Sequence, residues 1–270
     1  MEMKSVKLVC FSPTGTSKRV VQGIAEGMGL GLGLGTVELI DITTPAARKQ
    51  SLSMSDNELL VIAVPVYMGR VPVLLEEWLG AMQAENTPAV CVVVYGNRAY
   101  ENALLELRDV VAERGFLPIA GAAYIGEHSF SSDDAPTAQG RPNADDLRHA
   151  REFGGKVRDK LQSVSSHTQL AEVTVPGSFP YEGRTNLWDV DFISVSDECV
   201  QCGVCAEVCP MGAVDPDNSS RIDQVKCITC CACIKKCPHN ARTMKPGPVM
   251  DAQNRLITLY AEPKQPEYYI

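Results

Sequence analysis

No stretch of this 270-residue chain stays apolar for long. The longest run, Leu59 to Val66, is about eight residues with Pro65 inside it, against the roughly 20 that a membrane helix needs. The N-terminal "MEMKSVKLVCFSP" turns polar after a strand-length run and does not read as a signal peptide. A cytoplasmic protein with no membrane partner is expected. Positive charge is scarce too: 25 Lys and Arg stand against 33 Asp and Glu, a formal net charge of −8, which argues against a nucleic-acid partner. Nucleotide fingerprints are missing as well. The run "GMGLGLGLG" (27–35) contains no G-x-G-x-x-G and precedes a strand instead of following one, so it reads as a helix terminus and loop.

Cysteine is not lacking. Of 11 cysteines, four fall in "CVQCGVCAEVCP" (199–210) and five in "CITCCACIKKCP" (227–238), four of which repeat the first run. The runs repeat at an offset of 28 residues: 199/227, 202/230, 205/233 and 209/237, with Pro210/Pro238 and Ala213/Ala241. In a reducing compartment, clustered cysteines are metal ligands or redox groups before they are disulfides. C-x2-C-x2-C aims three thiolates into one pocket. The fourth, after x3 and followed by Pro, serves the other site, which is the pattern of bacterial two-cluster ferredoxins. Two [4Fe–4S] clusters are expected, one on Cys199, Cys202, Cys205 and Cys237, the other on Cys227, Cys230, Cys233 and Cys209. Structural zinc, which prefers two separated cysteine pairs, fits eight overlapping ligands poorly. Cys10 and Cys91 read as buried small hydrophobes, and Cys231 as a bystander whose side chain points away from the cluster.

The first 165 residues alternate strand-like and helix-like segments. Strands are expected at 6–12, 36–42, 58–67, 88–96 and 117–126, several as unbroken apolar runs that suit parallel strands covered on both faces. Helices are expected at 17–28, 71–84, 101–114 and 143–161. This is a doubly wound, five-stranded parallel α/β sheet, followed by a small α+β module. The expected division is 1–165, a surface connection over 166–190, the cysteine module over 191–246, and a tail over 247–270 with one strand at "RLITLY" (255–260) after a structure-breaking "KPGPVMD".

After the first strand, "FSPTGTSKRV" (11–20) offers Ser12, Thr14, Gly15, Thr16 and Ser17 just ahead of a helix N-terminus, where backbone N–H groups and the dipole favour an anion. Without Gly-Lys-Ser/Thr it suits a phosphomonoester better than a triphosphate; a hydroxyl-rich turn that merely caps the helix is the alternative. Two further strand ends, "PVYMGRVP" (65–72) and "VYGNRAYENA" (94–103), each carry an aromatic residue, a glycine and an arginine, suited to stacking a planar ring and bonding its edge. These ends lie where a doubly wound sheet binds its ligand.

"SPTGTS" is similar to the flavodoxin S/T-x-T-G-x-T loop. With the ferredoxin-like cysteines, and with "GEHSFS" (126–131) and "GRPNADDL" (140–147), the chain resembles the EFR1 family of flavodoxin–ferredoxin fusions. That resemblance implies FMN on the first domain, its phosphate at Ser12–Ser17 and its ring between Tyr67, Met68 and Gly69 on one side and Tyr95, Gly96, Asn97, Arg98 and Tyr100 on the other. Thr16 stands where flavodoxins often carry another residue, which leaves the individual hydroxyl contacts open. His128 and Arg141 are either ordinary loop residues or part of a segment, Gly126–Leu147, folded over the flavin edge. The expected function is electron transfer between the clusters and FMN, serving a redox partner protein or a small-molecule electron acceptor. The alternative is an FMN-dependent reductase fed through the clusters.

Overall fold

The computed structural model describes residues 3–29, 36–183 and 189–270; most of the glycine run, residues 30–35, lies outside them. Five parallel strands form the sheet: Ser5–Cys10, Thr36–Asp41, Glu58–Pro65, Thr87–Tyr95 and Phe116–Ile125. Numbered in that sequence they lie in the spatial order second, first, third, fourth, fifth, the flavodoxin-like arrangement. The first strand pairs with the second (Ser5 opposite Thr36) and the third (Ser5 opposite Glu58). The chain therefore reverses its direction of travel across the sheet between the first and third strands, and a crevice opens at their carboxyl ends. Leu59 to Val64 and every residue of Thr87–Tyr95 are buried, as strands covered on both faces must be.

One face is covered by the helices Thr16–Gly27 and Ala144–Gln162, which bury Val20, Val21, Ile24, Phe153 and Val157 against the sheet. These helices touch closely. A Cβ on Gly154 would stand 2.0 Å from the Ile24 carbonyl oxygen, and one on Gly27 1.9 Å from that of Arg151, so any side chain there would force the pair apart. Asn143 begins the second helix, its side chain accepting from the Asp145 and Asp146 N–H groups in a capping box. The other face is covered by Ala103–Glu113 with Leu104, Leu107 and Val111. The stretch expected to cross the surface adds Val173 and Val175 to that core, with the Val173 N–H donating to the Pro118 carbonyl at 2.8 Å.

Three expectations are corrected. The helix expected over 71–84 is a 3-10 turn at Val73–Leu75, a helix at Glu76–Gly80 and a two-residue strand at Gln83–Ala84 paired with Ser53–Met54; Gly80 ends the helix early because glycine is a poor interior helix former. "RLITLY" is not a strand but part of a helix, Pro248–Leu259, that opens on the "KPGPVMD" stretch with Pro at its first turn. Its buried residues Val249, Gln253 and Leu256 recur at helical spacing, which outweighs β-branched Ile257 and Thr258. The C-terminal strand is Glu267–Tyr269, and it adds an antiparallel sixth member beside Phe116–Ile125, Glu267 opposite Ala123.

The cysteine module has a two-stranded sheet, Ile193–Val195 against Arg242–Met244, and two one-turn helices, Val204–Glu207 and Ala232–Lys235. The 28-residue repeat extends to the backbone. Gln201 and Thr229 have φ of 55° and 53°, Gly203 and Cys231 78° and 56°, and Gly212 and Asn240 59° and 51°. Each cysteine run is bent by left-handed backbone at the same places, with different residues in the two halves. Ile228 is buried within the core of the sheet domain, and Met211 and Cys230 pack against it. Among the described residues no helix is long and apolar enough to cross a membrane.

Candidate functional site

The phosphate-type loop is held open by its own hydrogen bonds. Ser12 N–H donates to Thr43 Oγ1 at 2.8 Å, the Ser12 carbonyl accepts from Gly15 N–H at 3.0 Å, and Ser12 Oγ accepts from Lys18 N–H at 3.0 Å. Gly15 precedes the helix at φ 96°, a conformation that glycine adopts without a Cβ penalty. The first N–H groups of a helix have no partner within it, and among the described residues those of Thr16 and Ser17 have no protein acceptor. Ser17 is 1% exposed and its hydroxyl has no hydrogen-bond partner. A buried, unpartnered hydroxyl costs about 1–3 kcal/mol, a cost that an acceptor bound at the loop would offset. Lys236, from the cysteine module, brings its ammonium to 3.7 Å from where a Gly15 Cβ would stand.

The loop opens into a cavity of about 370 Å³. Ser12, Thr14, Thr16 and Ser17 form one end, and Tyr67, Met68, Tyr95, Gly96 and Arg98 come from the two other strand ends. Tyr67 to Arg70 is a tight reversal, with reciprocal N–H to carbonyl bonds of 3.0 and 3.1 Å and positive φ at Met68 and Gly69. Four expected residues act around the cavity and do not line it. Gly15 faces Lys236. Gly69 lies so close to Glu101 that a Cβ would meet its carboxylate at 1.7 Å. Asn97, 3% exposed, donates to the carbonyls of Tyr260 (2.7 Å) and Glu262 (3.0 Å) and accepts from Lys264 N–H (3.1 Å). Tyr100 OH bonds to Glu267 and Tyr269. The two arginines of the strand ends also diverge. Arg70 turns inward, its guanidinium gripping Glu106 at 2.8 and 2.7 Å, while Arg98 pairs with Glu101 at 2.6 Å and stays on the cavity wall.

His128 lines the cavity and Arg141 does not; Arg141 is bound to Asp146 at the start of the long helix. The His128 Nδ1 accepts from Phe130 N–H at 3.0 Å, which puts the proton on Nε2. Burial, with Lys235 and Arg98 nearby, holds its pKa down at about 4, so the ring is neutral at pH 7. The remaining wall carried no expectation. It includes Ile228, Thr229 and Cys230 from the second cysteine run, Ala252, Arg255, Leu256 and Leu259 from the C-terminal helix, and Tyr260 just past its end. Burial pushes the Tyr67 hydroxyl well up. The helical spacing of Val249, Gln253 and Leu256 was the one signal that could have exposed this wall.

The cysteines line two separate pockets. Cys199, Cys202, Cys205 and Cys237 surround one; Cys209, Cys227, Cys230 and Cys233 surround the other, with Cys231 beside them. Among the described residues no three His, Cys, Asp or Glu side chains gather closely enough for a single metal ion. Burial pushes Cys227 and Cys230 up and Cys233 to about 11. These three raised thiols are costly to ionise alone, and metal binding offsets such a cost. Cys231 is buried and its thiol faces the Thr229 carbonyl at 3.7 Å. Cys10 and Cys91 lie in the core with their thiols pushed up to about 12 by burial, inert at neutral pH.

The class defined by this fold and site is a flavodoxin-like α/β sheet joined to an iron–sulfur module. Residues 192–238 match the family described as the 4Fe-4S dicluster domain. The chain is 38% identical over 100 residues to a probable iron-sulfur protein of the Frd operon in Proteus vulgaris, covering 36% of this chain and 63% of that protein. It is 39% identical over 74 residues to a component of the selenate reductase of Mesobacillus selenatarsenatis, covering 26% and 25%. The chain thus spans less than two thirds of either relative. Among solved structures it is similar to a flavodoxin from the domain Archaea, 13% identical, covering 58% of this chain and 99% of that one with a TM-score of 0.41.

Proposed function

We propose that this protein is an electron-transfer flavodoxin–ferredoxin fusion of the EFR1 type, which passes electrons between two [4Fe–4S] clusters and FMN. FMN would supply a carrier of one or two electrons, and the clusters carriers of one electron each. The reading rests most heavily on Cys230. It belongs to the second set of four cysteines and also lines the cavity into which the phosphate-type loop opens. Electrons leaving that set have no folded layer to cross before they reach the cavity.

The residues fit the groups they would hold. Thr14, Thr16 and Ser17 offer a phosphomonoester hydroxyls and free N–H groups, with the unpartnered Ser17 Oγ among them. Tyr67, Met68 and Tyr95 give a planar ring apolar and aromatic walls, while Gly96 lets the His128 ring pack against the backbone, a Cβ there standing 2.2 Å from its Cδ2. Neutral His128 presents a ring N–H at the cavity without adding charge. The exposed Cys202 of the other set makes that nest the natural entry for electrons from a partner.

An anaerobic preparation is expected to carry about eight iron and eight sulfide, as two such clusters require, with one FMN. Cys230→Ser is expected to slow electron arrival at the flavin after rapid reduction of the protein, followed by flavin absorbance. A preparation holding zinc and no flavin would overturn the proposal.

A second reading is supported by the C-terminal helix. With Arg255, Leu256, Leu259 and Tyr260 on the wall, a helix flanks the cavity and would narrow the approach of a large partner, which suits a reductase of a small molecule. Single-turnover flavin reoxidation by small acceptors, faster than by ferredoxin-sized proteins, would favour this reading.

A further inference from the structure

The repeat breaks at one buried position. An offset of 28 residues pairs Val214 with Arg242, and both are 3% exposed. Val214 lines the pocket of Cys209, Cys227, Cys230 and Cys233, whereas Arg242 lines that of Cys199, Cys202, Cys205 and Cys237. Packing alone does not call for a cation here, since the equivalent wall is closed by a valine.

A buried guanidinium is costly unless its charge and its N–H groups are met. Arg242 has few partners. Its Nη2 donates to the Ser219 carbonyl, while its Nη1 is buried without a hydrogen-bond partner. Among the described residues no carboxylate lies within ion-pair distance of it. The remaining neighbours are thiols. Arg242 lines the pocket of Cys199, Cys202, Cys205 and Cys237, so the guanidinium faces thiols from both halves of the repeat.

We infer that Arg242 is a buried counter-charge for the iron–sulfur clusters, acting most on the one held by Cys199, Cys202, Cys205 and Cys237, and that it raises that cluster's reduction potential above that of its repeat mate. Cluster potentials follow net charge and hydrogen bonds to the sulfurs. Each electron gained adds one negative charge to a nest, and the attraction of Arg242 grows with it. The valine wall offers no such gain. Arg242 thus makes the outer nest the resting place of the first electron and leaves the nest next to the cavity the harder to reduce. This inference rests on reading the two cysteine sets as cluster sites.

The test is an anaerobic redox titration of the purified holoprotein followed by electron paramagnetic resonance, with iron and sulfide measured on each sample. Arg242→Val, which gives both nests the same wall residue, is expected to lower the higher of the two cluster potentials and narrow their separation. Arg242→Lys keeps the charge and should stay near wild type, while Arg242→Gln, which can still donate to the Ser219 carbonyl, should fall with the valine variant. Wild type without iron and sulfide would defeat the cluster reading itself. Wild type with both clusters, and an Arg242→Gln variant of unchanged potentials, would overturn the inference alone. If Arg242→Val loses its clusters, the Lys and Gln pair decides; loss from both of these would make Arg242 a structural wall and also overturn it.

Discussion

Gly203 and Cys231 occupy the same left-handed backbone position, φ 78° and 56°, in the two halves of the cysteine repeat. The first half uses the residue that adopts this conformation freely; the second places a cysteine there, among three cluster-type ligands, and turns its thiol to the Thr229 carbonyl. Left-handed backbone costs an L-residue about 1–2 kcal/mol.

Cys231→Gly is therefore expected to keep full iron and sulfide, with stability changed by no more than about 1 kcal/mol as relief of the backbone offsets the lost burial. Cys231→Val, β-branched at positive φ, should fold poorly. Cys230→Ser, one position earlier, should lose iron. Iron and sulfide analysis of the three variants separates bystander from ligand.

The Asn97 side chain ties the C-terminal segment down at three points, Tyr260, Glu262 and Lys264. Asn97→Ala leaves two carbonyls and an N–H unmet. A loss of about 1–3 kcal/mol is expected, together with faster cleavage around residues 260–264 in limited proteolysis. Equal cleavage of variant and wild type would show that the segment is held elsewhere.

Lys236 reaches the phosphate-type loop from the opposite end of the chain. Lys236→Gln should weaken FMN binding roughly two- to fivefold, the range of an exposed ion pair, and the effect should shrink in high salt. Riboflavin, which lacks the phosphate, should bind variant and wild type alike. Fluorescence titration of the two flavins makes the comparison.

His128 gives a pH dependence with a definite sign. Burial holds its pKa at about 4 against the usual 6.5, so the unfolded chain binds this proton more readily than the folded one. The neutral ring contributes its full stability above about pH 6.5, and that contribution is lost as the pH falls toward 4. Partial exposure discounts the amount to about 2 kcal/mol. His128→Phe should flatten the decline in unfolding midpoint between those values, measured as the difference between variant and wild type so that acid damage common to both cancels.

Much of this was legible in the sequence. The unbroken apolar runs marked the third and fourth strands because a strand covered on both faces needs no polar side. The cysteine spacing divides eight cysteines into the two sets of four that line separate pockets, because over eleven residues chain geometry leaves few ways to aim a thiolate. The hydroxyl-rich turn marked the loop because small donors ahead of a helix are a local feature. Arg70 and Arg98 looked equivalent on paper, and only packing sent one to Glu106 and left the other on the cavity. The C-terminal tail reads differently from its sequence because "RLITLY" satisfies strand propensity locally, while its burial at helical spacing depends on what it packs against.

The sequence by itself determined the local patterns at hand, the spaced cysteines and the hydroxyl-rich turn ahead of a helix, since each is written within a dozen positions. Only the tertiary structure decided that Cys230, Tyr67 and Tyr260 share one cavity and that Arg242 faces thiols from both halves of the repeat. Those meetings join residues far apart along the chain, and they follow from how the buried surfaces of the sheet, the cysteine module and the last helix close on one another.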